Sequence, residues 1–323
     1  SQQNVAEING VTYYSLQSAV NAVPRDNTET TVTLLMDTSE NITVQSNQNI
    51  VFNLQSYTLS WNASSAAITN NGTIKITSGT ISQKSAYAAI NNEGTGLIIM
   101  TGGSILSTGG RSAIYSRDAG SVEISGSAYL SSNASGFVDG LDRGTVMNKS
   151  GSLTITGGTI IGTSELGISN NGTLTLEDES GNGGIATSEL NPLSKLVINN
   201  NKLFINGGNY VGLTGMVIYS SAEMEMNGGY ISNNSASDST SGIYLYAASS
   251  TVPTLKITDG LIEVNGSGTY TYGIYAETYQ QSNYPYTYYY LTTVLSLLLF
   301  QMYLLLQLMY CLMHNLQFHF LDL

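Results

Sequence analysis

Ala67-Ile68-Thr69-Asn70-Asn71-Gly72-Thr73-Ile74-Lys75-Ile76-Thr77-Ser78-Gly79-Thr80-Ile81 is the stretch from which the rest of the chain is read. In residues 73–77 every second residue is apolar, which puts Ile74 and Ile76 on one face of a strand and Lys75 on the other. One such strand cannot bury its face alone. The Asn-Asn-Gly before it and the glycine after it are turn signals, glycine being free to adopt positive φ.

The phrase returns along the chain. It recurs from Ala89-Ile90-Asn91-Asn92 to Ile98-Ile99-Met100-Thr101-Gly102-Gly103-Ser104-Ile105, and from Ala113-Ile114 to Val122-Glu123-Ile124-Ser125-Gly126. Further copies are Leu153-Thr154-Ile155-Thr156-Gly157-Gly158-Thr159-Ile160 and Gly167-Ile168-Ser169-Asn170-Asn171-Gly172-Thr173-Leu174-Thr175-Leu176. Shorter ones carry Leu203-Phe204-Ile205-Asn206-Gly207-Gly208, Met224-Glu225-Met226-Asn227-Gly228-Gly229 and Leu255-Lys256-Ile257-Thr258-Asp259-Gly260. The copies lie roughly 20 to 32 residues apart, in the range of solenoid repeats, with insertions carried at turns.

Every copy keeps the same internal order, so like residues meet if successive strands stack in parallel. The result would be Ile stacks inside and Asn or Thr stacks at the turns. An antiparallel sandwich would not align a phrase with itself. The leucine-rich frame with its helix is missing, and propeller units are longer. The expected fold is all-β: a single-stranded right-handed parallel β-helix of about nine or ten repeats.

Before the repeats, Leu16, Ala19, Val20 and Val23 have helical spacing, with Ser15 as N-cap and Pro24 as a stop. A short capping helix is expected there, covering the open end of the stack, followed by strands over 31–36 and 49–54. The expected organisation is a cap over 1–45, repeats over 46–278 and a different tail over 279–323.

Composition bounds the function. Of 323 residues, 10% are charged, 41% are hydrophobic and 34 are Gly; ten Lys and Arg against 22 Asp and Glu give a formal charge of -12. The basic residues are scattered singly, so nucleic acid and anionic membranes are poor partners. Cys311 is the single cysteine, and His314 and His319 are the two histidines, so neither an intrachain disulfide nor a Cys/His zinc site is expected. No cofactor is expected either. The sequence starts at Ser1 without Met or an apolar signal stretch, which reads as a removed signal or a fragment.

Ile8-Asn9-Gly10, Tyr14-Ser15-Leu16-Gln17-Ser18-Ala19-Val20, Val32-Thr33-Leu34-Leu35 and Asn53-Leu54-Gln55-Ser56-Tyr57-Thr58-Leu59, with the phrase at 151–160, carry a resemblance. Over residues 8–276 the chain resembles the pectin-lyase-like β-helix regions of large bacterial surface proteins. The resemblance implies an adhesin-like, secreted or cell-surface protein that contacts polysaccharides or host glycans. The same fold carries polysaccharide lyases and glycoside hydrolases, so fold alone does not select an activity.

Candidate chemistry is sparse. Asp139, Asp142 and Arg143, in the insertion Phe137-Val138-Asp139-Gly140-Leu141-Asp142-Arg143-Gly144, would be acid, base and substrate clamp of a carbohydrate-active enzyme; the plainer reading is a polar Asp-Gly turn. Asp118 and Glu165 are the nearest further carboxylates. Glu177, Asp178 and Glu179 form an acidic run with the oxygen donors that Ca²⁺ prefers, or a solvated loop. Tyr244, Tyr246 and Tyr272, with Tyr270 and Tyr275 beside them and Tyr210, Tyr219 and Tyr230 earlier, form either a glycan-contact face or an aromatic stack. Arg111, Arg117 and Arg143 fall one per repeat. Asn-x-Ser/Thr sequons such as Asn41-Ile42-Thr43, Asn71-Gly72-Thr73 and Asn171-Gly172-Thr173 matter only in a glycosylating secretory pathway.

From Tyr279 the composition changes: there is no Gly after Gly273 and no Lys or Arg after Lys256. Residues 291–313 are long and apolar enough for a membrane span but lack flanking basic residues. An out-of-frame translation, a membrane anchor and an apolar cap on the last repeat are the three readings of this tail. The expected function is a non-catalytic extracellular scaffold for attachment or glycan contact; the alternative is a carbohydrate-active enzyme on the same fold.

Overall fold

The structure is a computed structural model that describes residues 2–164, 166–177, 184–187, 195–212, 215–248, 251–278 and 290–291. It is all-β, with one helix among the described residues and two long sheets of mainly parallel strands. The ten-stranded sheet takes one strand per repeat, from Ile42–Val44 through Ile68–Asn70, Ile90–Asn92, Ile114–Ser116, Val146–Asn148, Leu166–Asn170, Lys195–Asn199, Met216–Ser220 and Ser239–Ala247 to Tyr270–Thr278. All its pairings are parallel. The larger sheet receives two short strands from most repeats, such as Leu97–Met100 and Ser104–Ser107, or one long strand spanning both positions, such as Thr73–Gln83 and Glu223–Asn233.

The registers put like residues in columns. Ile50, Ile74, Ile98, Val122, Leu153, Leu174, Leu203, Met224 and Leu255 are successive partners in the larger sheet, and all are buried. In the ten-stranded sheet Ile42, Ile68, Ile90, Ile114, Val146, Ile168, Val197, Ile218 and Ile243 do the same. The inward residues of both sheets belong to one apolar cluster. Removing aliphatic surface from water along that cluster is the main stabilising term.

A polar column runs through the core side by side with the isoleucines. Asn70 Nδ2 donates to Asn92 Oδ1 (2.8 Å), and Asn92 Nδ2 donates to Ser116 Oγ (3.2 Å). The column resumes with Asn148 to Asn170 (2.9 Å), Asn170 to Asn199 (2.9 Å) and Asn199 to Ser220 (3.0 Å). Each of these side chains is buried. Spare amide protons go to turn carbonyls, as in Asn170 Nδ2 to Gly172 O and Lys202 O. A buried amide is tolerated because its hydrogen bonds are made.

The two glycine classes have different physical reasons. Gly103, Gly158, Gly208 and Gly229, the second residues of their Gly-Gly pairs, have φ between +75 and +92, the left-handed region open to glycine. Gly72 and Gly172 of the Asn-Asn-Gly turns do not have positive φ. There a Cβ would lie 2.5 Å from Gln48 O or 2.2 Å from Gly151 O, so close approach of stacked turns requires glycine. The sequence expectation of positive φ at these turns is corrected on that ground.

The helix is Leu16–Ala22. Ser15 Oγ accepts from Ser18 N, and the carboxylate of Glu40 accepts from Leu16 N and Gln17 N, so the free amides of the first turn are satisfied. Leu16, Ala19 and Val20 are buried. Gln17 exchanges hydrogen bonds with the backbone of Thr43 through its side-chain amide, covering the edge of the first strand of the ten-stranded sheet. Antiparallel pairing is local: Ala6–Ile8 pairs with Val11–Tyr13 and with Glu29–Leu34, and Phe137–Val138 pairs with Leu141–Asp142.

No helix among the described residues is long and apolar enough to cross a membrane. Of the segment 291–313 only Leu291 is described, in the short strand Tyr290–Leu291 paired with Lys256 and Ile257. Residues 292–313 lie outside the described residues.

Candidate functional site

The outer face of the ten-stranded sheet gathers most of the chemically distinctive side chains. Tyr115 alternates with the inward Ile114 and Ser116 and therefore points outward. Beside it lies the hairpin formed by Phe137–Val138 and Leu141–Asp142. Its turn residues Asp139 and Gly140 both have positive φ (52 and 78), the requirement of the tight turn that favours Asp-Gly. Leu141 and Val138 pack on Ala88, Tyr115 and Met147 in a second small apolar cluster, which fixes the hairpin on the sheet.

Asp139 is engaged at once by two donors. Tyr115 Oη donates to its Oδ2 at 2.5 Å and Lys149 Nζ at 3.2 Å. The Tyr115 hydrogen bond, then the Lys149 one, hold the Asp139 carboxyl below the usual carboxylate range. Burial and then the Asp139 hydrogen bond push the Tyr115 phenol up. Arg117 sits over the Tyr115 ring, 5.7 Å from its centroid, and pairs with Glu93 at 3.1 Å. A general acid needs a raised carboxyl pKa near the working pH, and Asp139 is shifted the opposite way. Arg143 Nη1 donates to the main-chain oxygen of Ser135 at 3.3 Å, two residues before its own insertion.

Further along the same face the tyrosines meet. Tyr219, Tyr244 and Tyr275 are register partners on three adjacent strands. The Tyr219 and Tyr244 rings are stacked with centroids 5.5 Å apart, and Tyr244 and Tyr275 are 5.2 Å apart and tilted. Tyr246 stacks on Tyr219 at 6.0 Å, and Tyr272 lies 5.0 Å from Tyr275. All five are half-buried. Tyr244 Oη donates to Glu277, and the Lys195 ammonium lies 5.9 Å from the Tyr219 centroid. Burial, then the neighbouring Tyr246, Asp142 and Glu277, push the Tyr219 phenol up to about 12. The charge of Asp142 thus reaches Tyr219, which links two separate candidates of the sequence electrostatically.

The rings occupy much of each other's faces, so the patch offers ring edges, phenol hydroxyls and the carboxylate of Glu277. That is an amphipathic surface with donors and acceptors fixed on short side chains of a rigid sheet. The other tyrosines of the sequence grouping lie elsewhere. Tyr210 is buried in the core with its hydroxyl donating to Gly207 O, and Tyr230 donates to Glu263 on the outside of the larger sheet. Tyr270 is exposed.

Glu177 accepts a hydrogen bond from Asn206 Nδ2 at 3.3 Å; Asp178 and Glu179, like Glu165, lie outside the described residues. Among the described residues no three His, Cys, Asp or Glu side chains gather as metal ligands. Lys149 and Tyr115 are not singled out in the sequence, and Tyr219 is grouped there with Tyr210 and Tyr230 without being matched to Tyr244. The signal for Tyr219 was present in the register, since aligning Ile218 with Ile243 and Ile274 aligns the tyrosines that follow. No protein family, no curated protein and no solved structure matches this chain.

Proposed function

We propose that the chain is a right-handed parallel β-helix of the pectin-lyase-like kind, acting outside the cell or on its surface as a non-catalytic, adhesin-like scaffold. Its working face is the outer side of the ten-stranded sheet, and its ligand class is the glycan. The observation that carries this reading is the column Tyr219, Tyr244 and Tyr275, flanked by Tyr246 and Tyr272 and edged by the Glu277 carboxylate. Carboxylates and phenols satisfy sugar hydroxyls, while ring edges take the apolar faces of pyranose rings. The parallel order of every repeat supports the solenoid reading, because only stacked copies of one phrase put like on like.

A glycan array probed with the intact chain tests it. Binding to one glycan class is expected, weakened about tenfold in Tyr244→Ala as an aromatic contact of about 1–1.5 kcal/mol is lost. Binding that is undetectable, or unchanged in Tyr244→Ala, Tyr246→Ala and Tyr272→Ala, overturns the reading. Polysaccharide cleavage by the wild type that disappears in both Asp139→Ala and Asp142→Ala would replace it with the enzymatic one.

A further inference from the structure

Five of the ten basic side chains face a carboxylate: Lys75 with Glu29, Arg117 with Glu93, Lys149 with Asp139, Lys202 with Glu223 and Lys256 with Glu225. Arg25 donates to Ser46, and Lys195 lies over Tyr219. Of the remaining three, Lys84, Arg111 and Arg143, the two arginines stand at equivalent positions of neighbouring repeats. Ile114 and Val146 are register partners, Ala113 N donates to Thr145 O (2.8 Å), and Ser112 Oγ donates to Gly144 O (2.6 Å). Arg111 and Arg143 each come one residue before that last pair, at equivalent positions of neighbouring repeats.

Their hydrogen bonds go to main-chain carbonyls, Arg111 Nη1 to Gly110 O (3.0 Å) and Arg143 Nη1 to Ser135 O (3.3 Å). A carbonyl takes one proton of a five-proton guanidinium and leaves the charge in place. Burial, and then the Arg111 charge, make the Arg143 guanidinium easier to deprotonate than usual. Like charges at directly opposed positions destabilise a sheet protein. The carboxylate of Asp139, on the hairpin between them, is taken by Tyr115 and Lys149. Among the described residues neither guanidinium pairs with a carboxylate, Glu165 at the position equivalent to Arg143 in the next repeat lying outside them, and two half-buried forks at equivalent positions of neighbouring repeats suit a carboxylate, sulfate or phosphate group.

We propose that Arg111 and Arg143 together form an oxyanion-binding site, and that the oxyanion it takes is the carboxylate of an acidic saccharide. The choice of a saccharide rests on the glycan reading of the neighbouring face, and on Tyr87. Tyr87 is 42% exposed and occupies the position equivalent to Arg111 in the preceding repeat, because Ile90 and Ile114 are register partners. An exposed ring beside two guanidiniums suits a sugar ring that carries an acid.

The test is calorimetric titration of the full chain with inorganic sulfate, with a glucuronate-containing tetrasaccharide, and with the methyl ester of that tetrasaccharide. Saturable binding of sulfate and of the tetrasaccharide is expected, the ester binding more weakly. Arg143→Gln and Arg111→Gln should each weaken the charged ligands about tenfold, the scale of a lost charge-assisted fork. Arg117→Gln and Tyr244→Ala should leave sulfate binding unchanged, which separates failure of this site from failure of the tyrosine face. Sulfate bound as tightly as the tetrasaccharide overturns the saccharide as ligand and leaves a free-anion site. No saturable binding by the wild type, or undiminished binding in both arginine variants, overturns the site itself. Arg111→Gln keeps the test decisive if Arg143→Gln does not fold, since Arg111 holds only the carbonyl of its neighbour.

Discussion

The ten-stranded sheet has two halves that keep their strands aligned by different means. From Ile68–Asn70 to Lys195–Asn199 the inner polar column of asparagines passes hydrogen bonds from strand to strand. From Met216–Ser220 onward that column becomes Ser220, Leu245 and Ala276, and the stacking of like residues moves to the outer face as Tyr219, Tyr244 and Tyr275. The changeover falls between adjacent residues, Tyr219 outside and Ser220 inside. Amides inside are directional and fix register without offering anything to solvent. Rings outside hold register more loosely and present a surface. The first half aligns its strands through buried amides, the second through half-buried rings.

The largest effect expected from breaking this contrast is at Asn170, the middle of the longer amide run. Asn170→Leu removes its bonds to Asn199, Gly172 and Lys202, takes from the buried Asn148 amide one of its three acceptors, and leaves Asn199 Oδ1 without its donor from the column. Urea unfolding should show a loss of about 3 kcal/mol, the upper range for orphaned buried polar groups. A loss below that of a surface substitution would sink the view that the amides hold the first half. Tyr244→Ala should cost less, about 1–2 kcal/mol, since its ring is half-buried and leaves no orphan inside. Were it the costlier of the two, the assignment of roles to the halves would be reversed.

A gap sharpens the comparison. Ser116 interrupts the asparagines between Asn92 and Asn148. Ser116→Asn should join the two runs and raise stability by about 1 kcal/mol, one net buried hydrogen bond; a drop in the melting temperature would show that the gap is needed. The smallest effect is silent at neutral pH. Tyr219, pushed up to about 12, is held protonated in the folded chain more firmly than in the unfolded one. Its contribution is complete below the ordinary phenol value near 10 and disappears as pH rises through about 12. Alkaline unfolding should begin in that window and shift in Tyr219→Phe, as followed by ultraviolet difference titration.

How far the sequence foretold this depends on what each residue needed. The columns at Ile74, Ile98 and Val122 were readable because period two and a constant phrase order require only local pattern. The helix after Ser15 was readable from its cap and spacing, but its second cap, Glu40, was not, because that contact joins distant residues. Tyr210 was grouped with the surface tyrosines although it fills a core position normally held by Ile; its hydroxyl finds Gly207 O, which no linear pattern announces. Arg111 and Arg143 read as isolated because the hairpin between them lengthens that repeat. Only the register of Ile114 with Val146 puts them at equivalent positions of neighbouring repeats.

The crowding at the turn glycines has a consequence for how such a chain can change. A methyl group at Gly151 would sit 1.8 Å from the carbonyl oxygen of Gly120, whereas the hairpin between Val138 and Leu141 enlarges its repeat and leaves the strands on either side paired. From Gly72 to Gly172 identity is therefore fixed at this corner while length is free at another; the next two repeats hold Asn201 and Ala222 at the equivalent position, so the turns there stack with more room. Descendants of this sequence would diversify by growing loops beside the strands, and would keep the bare corners of the earlier repeats.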